Sequence, residues 1–452
     1  MSDTYAHWLA RCAKAPSTKA HRLLGTGGLV VIAPHPDDET LGASALLSEA
    51  AHSGRPVGIV ALTDGEASHP GSKAFPRERL AEVRRSEQEA ALTALGLRQV
   101  RWLRLSLPDG GAGRDPRWAD APARIAAFCH AIGAETLSAP HPGDPHPDHH
   151  AAAALAEEVR TLRPDLRLLF YQVWSMRLSG EAPYRHEQLL PFGIATDPEA
   201  KRRAIACHAS QLGQLIADDP DGFVLPDWFL TAQAAPREIH ALAPMRGSVP
   251  PPSHFAALYA DGGDPWHVRS SRYEAAKRAD NCDQLKGRTY RAGLDIGCGE
   301  GHLSRALIES GIALGVTGID REGAIVERAS AVHADLASLT FRSGSLPDDL
   351  PDGPFDLVVM SEVLYFLDEQ GLSALATKVE KRLAPGADLL IVSYRGETGT
   401  PLSGRQSHDL LVALFGETLR SISLRERENY QAELLRFRRE AEEGWADTAP
   451  SR

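Results

Sequence analysis

Short apolar runs rich in Val, Ile and Leu alternate with longer segments of helical period along almost the whole chain. In the first half the runs are GLVVIA (28–33), PVGIVAL (56–62), VRWLRL (100–105), TLSA (136–139) and LRLLFYQV (166–173). Between them, Arg77 to Leu95 and His149 to Leu162 repeat their apolar positions at helical spacing. The second half follows the same rule with RAGLDIG (291–297), GVTGID (315–320), LTFRSG (339–344), FDLVVM (355–360) and ADLLIVS (387–393). Continuous apolar strands separated by helices are the mark of parallel sheets covered on both faces. The expectation is an α/β fold, two Rossmann-like three-layer α/β/α domains. The stretch APMRGSVPPPS (243–253) holds four prolines and can continue neither a helix nor a central strand. It sets the expected limits: a first domain over 1–245, a proline-rich linker over 246–253 and a second domain over 254–445.

A length of 452 residues agrees with two domains, each large enough to bury a core unaided. The net charge of −11 argues against a nucleic-acid partner, and the five scattered cysteines against a disulfide framework or a thiolate zinc site. No apolar run could span a bilayer and no secretion signal is legible, so a cytoplasmic enzyme without a membrane anchor is expected.

Two polar clusters follow apolar strands in the first half. GLVVIA runs into PHPDDE, which places His35, Asp37, Asp38 and Glu39 at the carboxyl edge of the sheet, where open α/β sheets bind ligands. TLSA runs into PHPGDPHPDHH, whose His146, Asp148, His149 and His150 open a helix. Together they supply the residue types of a hydrolytic metal site: imidazole and carboxylate ligands and a carboxylate base. This pair resembles the signature of the PIG-L-like (N-acetylglucosaminyl-phosphatidylinositol deacetylase-like) family. LTDGEA (62–67), RRSEQEAALTALG (84–96), LPDG (107–110) and KRRAIACHASQ (201–211) extend the likeness in the family's order. The resemblance implies a zinc N-deacetylase in which His35, Asp38 and His149 hold the metal and Asp37 is the general base for the attacking water. The residues themselves do not separate the roles of Asp37 and Asp38. By the same resemblance His146 stabilises the oxyanion, Asp148 holds a histidine in its working tautomer, and Arg84 and Asp109 contact a sugar substrate. His141 and His150 are read as bystanders. Zinc is the expected metal, although nitrogen and oxygen ligands of this kind also accept other divalent ions.

In the second half LDIGCGEG (294–301) is a strand that runs into a glycine loop and a helix. A dinucleotide fingerprint would need a third glycine at position 302, where His302 stands, so the spacing is GxGxG. The next strand ends in Asp320, suited to the two hydroxyls of a ribose. From His254 to Arg438 the chain resembles a class I S-adenosylmethionine-dependent methyltransferase, most closely the nodulation-protein S type. LYADGGDPWH (258–267), FDLVVMSEVLYFL (355–367) and RLAPGADLLI (382–391) carry that resemblance with the glycine loop. It implies that Asp295, Gly297, Gly299 and Gly301 cradle the methionine end of S-adenosyl-L-methionine. Asp320 would hold the ribose, and Glu362 would open the segment that closes the cofactor pocket. Ser345 departs from the acidic residue that many members use for adenine. Trp266, His267, Tyr273 and Tyr394 are candidates for a lid or the acceptor side.

Removing an acetyl group from an amino sugar exposes a primary amine, which an N-methyltransferase can use. The chain is therefore expected to act on a small-molecule glycoconjugate in two steps. The alternatives are two activities on unrelated acceptors, or one half serving as a silent sugar-binding module.

Overall fold

The computed structural model describes residues 4–260 and 263–438 and divides into two compact units, Met1–Arg246 and Gly247–Arg452. Positions 261 and 262 of the LYADGGDPWH segment, and 439–445 of the expected second domain, lie outside the described residues. No helix among the described residues is long and apolar enough to cross a membrane.

The first unit is built on eight strands: β1 (Ser17–Thr18), β2 (Gly28–Ala33), β3 (Val57–Ala61), β4 (Val100–Arg104), β5 (Ala134–Pro140), β6 (Arg167–Tyr171), β7 (Leu190–Ala195) and β8 (Arg237–Leu242). Their order across the sheet is β1-β7-β8-β6-β5-β2-β3-β4. The run from β4 to β6 is parallel, whereas β8 lies antiparallel to both β6 and β7. Every residue of β2, β3 and β6 is buried, as both faces of a covered parallel sheet require. Chain order reverses between β2 and β5: β3 and β4 extend one way from β2, and β6 the other. Such a switch point opens a crevice beyond the carboxyl ends of the two strands. Pro34 and Pro140 stand at those ends, each followed by a histidine.

The second unit has seven strands: β9 (Gly293–Ile296), β10 (Val316–Asp320), β11 (Leu339–Ser343), β12 (Phe355–Ser361), β13 (Leu383–Tyr394), β14 (Leu419–Glu426) and β15 (Tyr430–Phe437). They lie in the order β11-β10-β9-β12-β13-β15-β14, with only β15 antiparallel to its neighbours. The switch point here falls between β9 and β12.

Both sheets are therefore mixed rather than purely parallel. The strands absent from the sequence reading are β1, β7, β8, β14 and β15, and β8 and β15 carry the antiparallel pairing. The boundary also differs in detail: a helix, Pro252–Leu258, begins inside the stretch expected as linker. Pro252 occupies its first turn, where a fixed φ favours a helix and no amide hydrogen is needed.

β8 brings Glu238 into the interior, where Lys201 donates Nζ to Oε1 (2.7 Å), the Ser44 hydroxyl donates to the same oxygen, and the Ala45 amide donates to Oε2 (3.0 Å). His240 Nε2 lies 3.1 Å from Oε2. Burial works to raise the Glu238 carboxyl, but Lys201 and His240 outweigh it and hold it well below the ordinary range. Removing the ammonium strands a buried charge, which costs about 3–5 kcal/mol for a broken buried pair. Lys201→Met is expected to lower unfolding free energy by that amount in chemical denaturation of the full chain. A loss below about 1 kcal/mol would show that Ser44 and His240 alone satisfy Glu238.

Candidate active sites

In the first unit β2 delivers His35, Asp37 and Asp38, and the segment after β5 delivers Asp144, His146, Asp148 and His149. The two turns converge on one cavity of about 610 Å³ that is lined by His35, Asp37, Asp38, Arg84, Asp109 and His146 among others. Asp38 is its geometric centre. Its Oδ2 lies 3.0 Å from His35 Nδ1 and 3.1 Å from His149 Nε2, and it accepts the His35 backbone N–H at 2.9 Å. Ligand atoms around a zinc ion with bonds of about 2.0–2.1 Å stand roughly 3.3 Å apart, close to the two distances that Asp38 makes with the imidazoles.

The far nitrogen of each imidazole faces a carboxylate. His35 Nε2 lies 3.3 Å from both Asp109 Oδ1 and Asp148 Oδ2, and His149 Nδ1 lies 3.1 Å from Asp144 Oδ1. Metal-binding histidines carry this kind of carboxylate partner, which fixes the tautomer and raises ligand basicity. The chemistry of the donor set thus suits a divalent cation. By spacing alone, two sets among the described residues bring one donor atom each within 4.8 Å of one another: His35, His146 and His149, and His35, Asp109 and Asp148. Asp38 stands in neither set.

The carboxylates are themselves held by backbone amides. Asp148 accepts from the Gly110 N–H (2.8 Å) and the Ala112 N–H (3.1 Å); Asp144 accepts from the Trp174 N–H (2.7 Å) and the His146 N–H (3.2 Å). Burial disfavours a charged His35, yet Asp109, Asp148 and Asp38 outweigh it and raise the imidazole well above its ordinary value. His149 behaves alike, lifted to about 9 against its burial by Asp38 and Asp144. A site that draws protons this strongly draws cations for the same reason.

Asp37 is set apart. Its Oδ2 accepts from Arg84 Nη2 (3.0 Å), and Arg84 Nη1 donates to the Gly65 carbonyl (2.9 Å). Burial raises the Asp37 carboxyl, with Arg84 working against it and Asp38 adding to it. Arg84, expected as a sugar contact, is itself 3% exposed and borders the cavity, with its guanidinium bound to Asp37 and Gly65. Asp109, the other expected sugar contact, accepts from the Ala67 N–H (2.9 Å) and faces His35. Burial works to raise it, but His35 outweighs this and brings it down to about 2.

His146 caps the helix Pro147–Leu162, its Nδ1 accepting the Asp148 N–H at 3.2 Å. The acceptor role of Nδ1 leaves the proton of the neutral ring on Nε2. Burial, with His35 and His149 nearby, pushes this imidazole down to about 4. His141 stacks on Tyr184 (4.4 Å) and accepts the Gly143 N–H, and His150 is exposed. Asp144 was missed from sequence. Its only sign was an acid between the first and second His-Pro pairs of PHPGDPHPDHH.

In the second unit a cavity of about 570 Å³ opens over the carboxyl ends of β9 and β12, lined by Asp295, Gly297, Gly299, Asp320, Glu362 and Ser345 among others. Gly297, Gly299 and Gly301 all have positive φ, at 74°, 52° and 76°. A Cβ on Gly297 would meet Val363 at 2.7 Å and one on Gly301 would meet Phe341 at 2.3 Å, whereas Gly299 has nothing within 4 Å. Gly299 is the residue that leaves room for a ligand against backbone. Asp320 Oδ2 accepts the Gly299 N–H (3.0 Å) and its Oδ1 the Glu322 N–H (3.1 Å), which pins the acid beneath the loop. Asp295 accepts from the Ser304 hydroxyl (2.5 Å), and burial lifts its carboxyl to about 6. Glu300, unremarked in the sequence, binds Arg269 (Nε, 2.9 Å) and Arg328 (2.8 Å), and Arg269 foremost holds it down at about 2. Glu362 borders the cavity, where Lys277 donates to its Oε1 and the Tyr365 hydroxyl to its Oε2. Ser345 borders the cavity and its amide is bound to Asp349 (2.8 Å). Trp266, Tyr273 and Tyr394 also line the cavity; His267 does not.

Residues 30–160 match the family model described as PIG-L, GlcNAc-PI de-N-acetylase, and residues 294–386 match that described as methyltransferase domain. The chain carries a PIG-L deacetylase domain and a methyltransferase domain. A 1D-myo-inositol 2-acetamido-2-deoxy-alpha-D-glucopyranoside deacetylase from Kineococcus radiotolerans is 32% identical over 143 residues, which are 30% of this chain. The match spans 37% of that relative's length. Among solved structures, the N-methyltransferase NodS from Bradyrhizobium japonicum WM9 in complex with S-adenosyl-L-homocysteine aligns with a TM-score of 0.37 and 22% identity, over 41% of this chain and 97% of its own. The N,N'-diacetylchitobiose deacetylase from Pyrococcus horikoshii aligns with a TM-score of 0.32 and 22% identity, over 45% of this chain and 73% of its own.

The methyltransferase-domain glycines make unequal demands. Gly301→Ala combines left-handed strain with a clash against Phe341 and is expected to cost about 3 kcal/mol, read as an early melting transition of the full chain. Gly299→Ala meets open space and should cost only the strain, about 1 kcal/mol. Equal losses would contradict the packing described for this loop.

Proposed function

We propose that the chain removes the N-acetyl group of an N-acetylglucosamine-type glycoconjugate with the help of zinc. It then transfers a methyl group from S-adenosyl-L-methionine, with the exposed amine as acceptor. The observation that carries this reading is the pair of imidazoles around Asp38, each backed by a carboxylate, with His35, Asp37 and Asp38 lining one cavity.

His35, Asp38 and His149 are the residues that would hold zinc. When bound, zinc supplies the Lewis acidity that activates water and polarises an amide carbonyl. With zinc bound, His35 Nε2–H would be directed to Asp109 and Asp148, and His149 Nδ1–H to Asp144, so that the nitrogens nearest Asp38 give up their protons to face the metal. Asp37 takes the proton of the attacking water; Arg84 fixes its orientation, and burial keeps it more basic than an exposed aspartate. His146 stays neutral and offers Nε2–H to the carbonyl oxygen as negative charge gathers there. Trp174, stacked on Phe229 at 4.1 Å, gives the cavity an aromatic wall of the kind that takes the apolar face of a sugar ring.

In the second domain Gly297, Gly299 and Gly301 shape the loop that takes the cofactor's methionine end, above Asp295, and Asp320 stands at the strand end suited to a ribose. Methyl transfer is an in-line displacement that asks the protein chiefly to position donor and nucleophile. One product being the next substrate gives the fusion its logic, since a tether raises the local concentration of the intermediate.

Mass spectrometry of N-acetylglucosamine conjugates incubated with the protein, zinc and S-adenosyl-L-methionine should find loss of acetyl and gain of methyl on the same nitrogen. Deacetylation without methylation of the resulting amine would end the two-step reading. Asp37→Asn should reduce acetate release by about 10²–10⁴-fold and retain zinc at wild-type stoichiometry. Asp144→Asn should weaken zinc binding by about 10–100-fold, measured by chelator competition. Unchanged affinity would remove Asp144 from the support of His149.

A further inference from the structure

The cavity of the second unit carries a polar cluster that cofactor binding does not account for. On the helix Arg272–Gln284, Lys277 donates Nζ to Glu274 Oε1 (2.8 Å) and to Glu362 Oε1 (3.1 Å), and its ammonium lies 5.0 Å from the centre of the Tyr273 ring. The Tyr365 hydroxyl donates to Glu362 Oε2 at 3.1 Å. The Tyr273 hydroxyl is buried and has no hydrogen-bond partner in the structure. All five residues line the cavity that also holds Gly297 and Gly299. Glu362 has φ +58°, a left-handed backbone rare for a side chain of this kind; such strain gathers at ligand-handling positions.

The charges in this cluster do not balance. Glu274 and Glu362 face one ammonium, and the neighbouring cation Arg278 donates to the Val268 carbonyl at 3.2 Å. A buried group of this kind is completed by a cationic donor. A protonated amine offers up to three N–H donors and one positive charge, which suits two carboxylates and the idle Tyr273 oxygen. A hydroxyl would leave the charge uncompensated.

We infer that Glu274, Glu362 and Tyr273 form the methyl-acceptor subsite, that it takes a primary amine, and that Glu362 is the group that receives the amine's proton. This inference rests on the reading of the second domain as an S-adenosyl-L-methionine-dependent methyltransferase. The bound ammonium passes one proton to Glu362, which frees the nitrogen lone pair. The lone pair forms the new C–N bond at the methyl carbon, the C–S bond breaks, and its electron pair remains on sulfur. The product leaves as a methylammonium and Glu362 returns its proton to water. Burial lifts the Glu362 carboxyl above its usual range, with Lys277 working against it, which brings it nearer to the basicity of an amine. Lys277 and Tyr365 are positioning residues that hold the carboxylate in place.

The test is calorimetric and needs no turnover. S-adenosyl-L-homocysteine is titrated into wild type, Glu362→Gln and Tyr273→Phe, and D-glucosamine is then titrated into each saturated protein. Wild type is expected to bind glucosamine, with affinity about 10–100-fold weaker in Glu362→Gln, the range for a lost charge-assisted hydrogen bond. Tyr273→Phe should weaken it about 3–10-fold, and nucleoside affinity should change less than about threefold in either variant. Absence of glucosamine binding to a wild type that binds the nucleoside overturns the inference. So does a nucleoside affinity that falls with that for glucosamine, since the cluster would then serve the cofactor's amino-acid end. Failure of wild type to bind the nucleoside instead overturns the methyltransferase reading beneath it. If Glu362→Gln melts early, Tyr273→Phe decides alone.

Discussion

Buried carboxylates crowd the carboxyl edge of the first sheet, and much of that domain is arranged to keep them there. Asp37, Asp38, Asp109, Asp144 and Asp148 sit among three imidazoles, and Arg84 pairs with Asp37 among these carboxylates. Each buried charge left unpaired costs several kcal/mol. The fold answers with amides from Ala67, Gly110, Ala112 and Trp174, and with a switch point that lets β2 and β5 empty their turns into the same crevice. The histidines neutralise the remainder only by holding protons, so a divalent ion competes with protons for one binding space. That competition is why metal affinity at such a site falls as pH falls.

What was legible in the sequence is what depends on neighbours in the chain. β2, β3, β6, β9 and β12 are runs of buried aliphatic residues, and they announce themselves because nothing distant is needed to make them apolar. β8 and β15 are different. REIHAL and YQAELLRF place Glu238, His240 and Glu433 in the interior, residues that propensity assigns to surfaces or helices. They become strands only through Lys201, Ser44 and His408, the last with Nε2 2.8 Å from Glu433 Oε2. Long-range partners of this kind have no periodic trace, and the antiparallel edges of both sheets were lost with them.

The candidate sites divide along the same line. His35, Asp37, Asp38, His146, Asp148 and His149 lie in two short segments whose spacing carries meaning, and the structure brings them together: His35, Asp37, Asp38 and His146 line one cavity, with Asp148 and His149 bound to His35 and Asp38 behind it. Arg84 sits far along the chain on a helix, and a helical arginine reads as a solvated charge or a ligand contact. Its burial against Asp37 depends on Gly65, where a Cβ would stand 2.0 Å from Nη1. Lys277 and Glu300 lacked any local signature and Asp144 had only its place between two His-Pro pairs, since each takes its meaning from a partner elsewhere in the fold.

The two domains share a topological device and line it with different residues. Each opens a crevice where chain order reverses, between β2 and β5 in one and between β9 and β12 in the other. In the first crevice, side-chain carboxylates dominate, and selectivity follows from charge and ligand count. In the second, glycines at positive φ expose backbone beside the carboxylates of Asp295, Asp320 and Glu362, with Gly299 giving the room that any side chain would take. A crevice at a switch point therefore predicts where a ligand binds but says nothing about which one. Chemistry is written in the few residues at the strand ends: proline-braced histidines and aspartates in one domain, and a glycine loop with a strained glutamate facing it in the other.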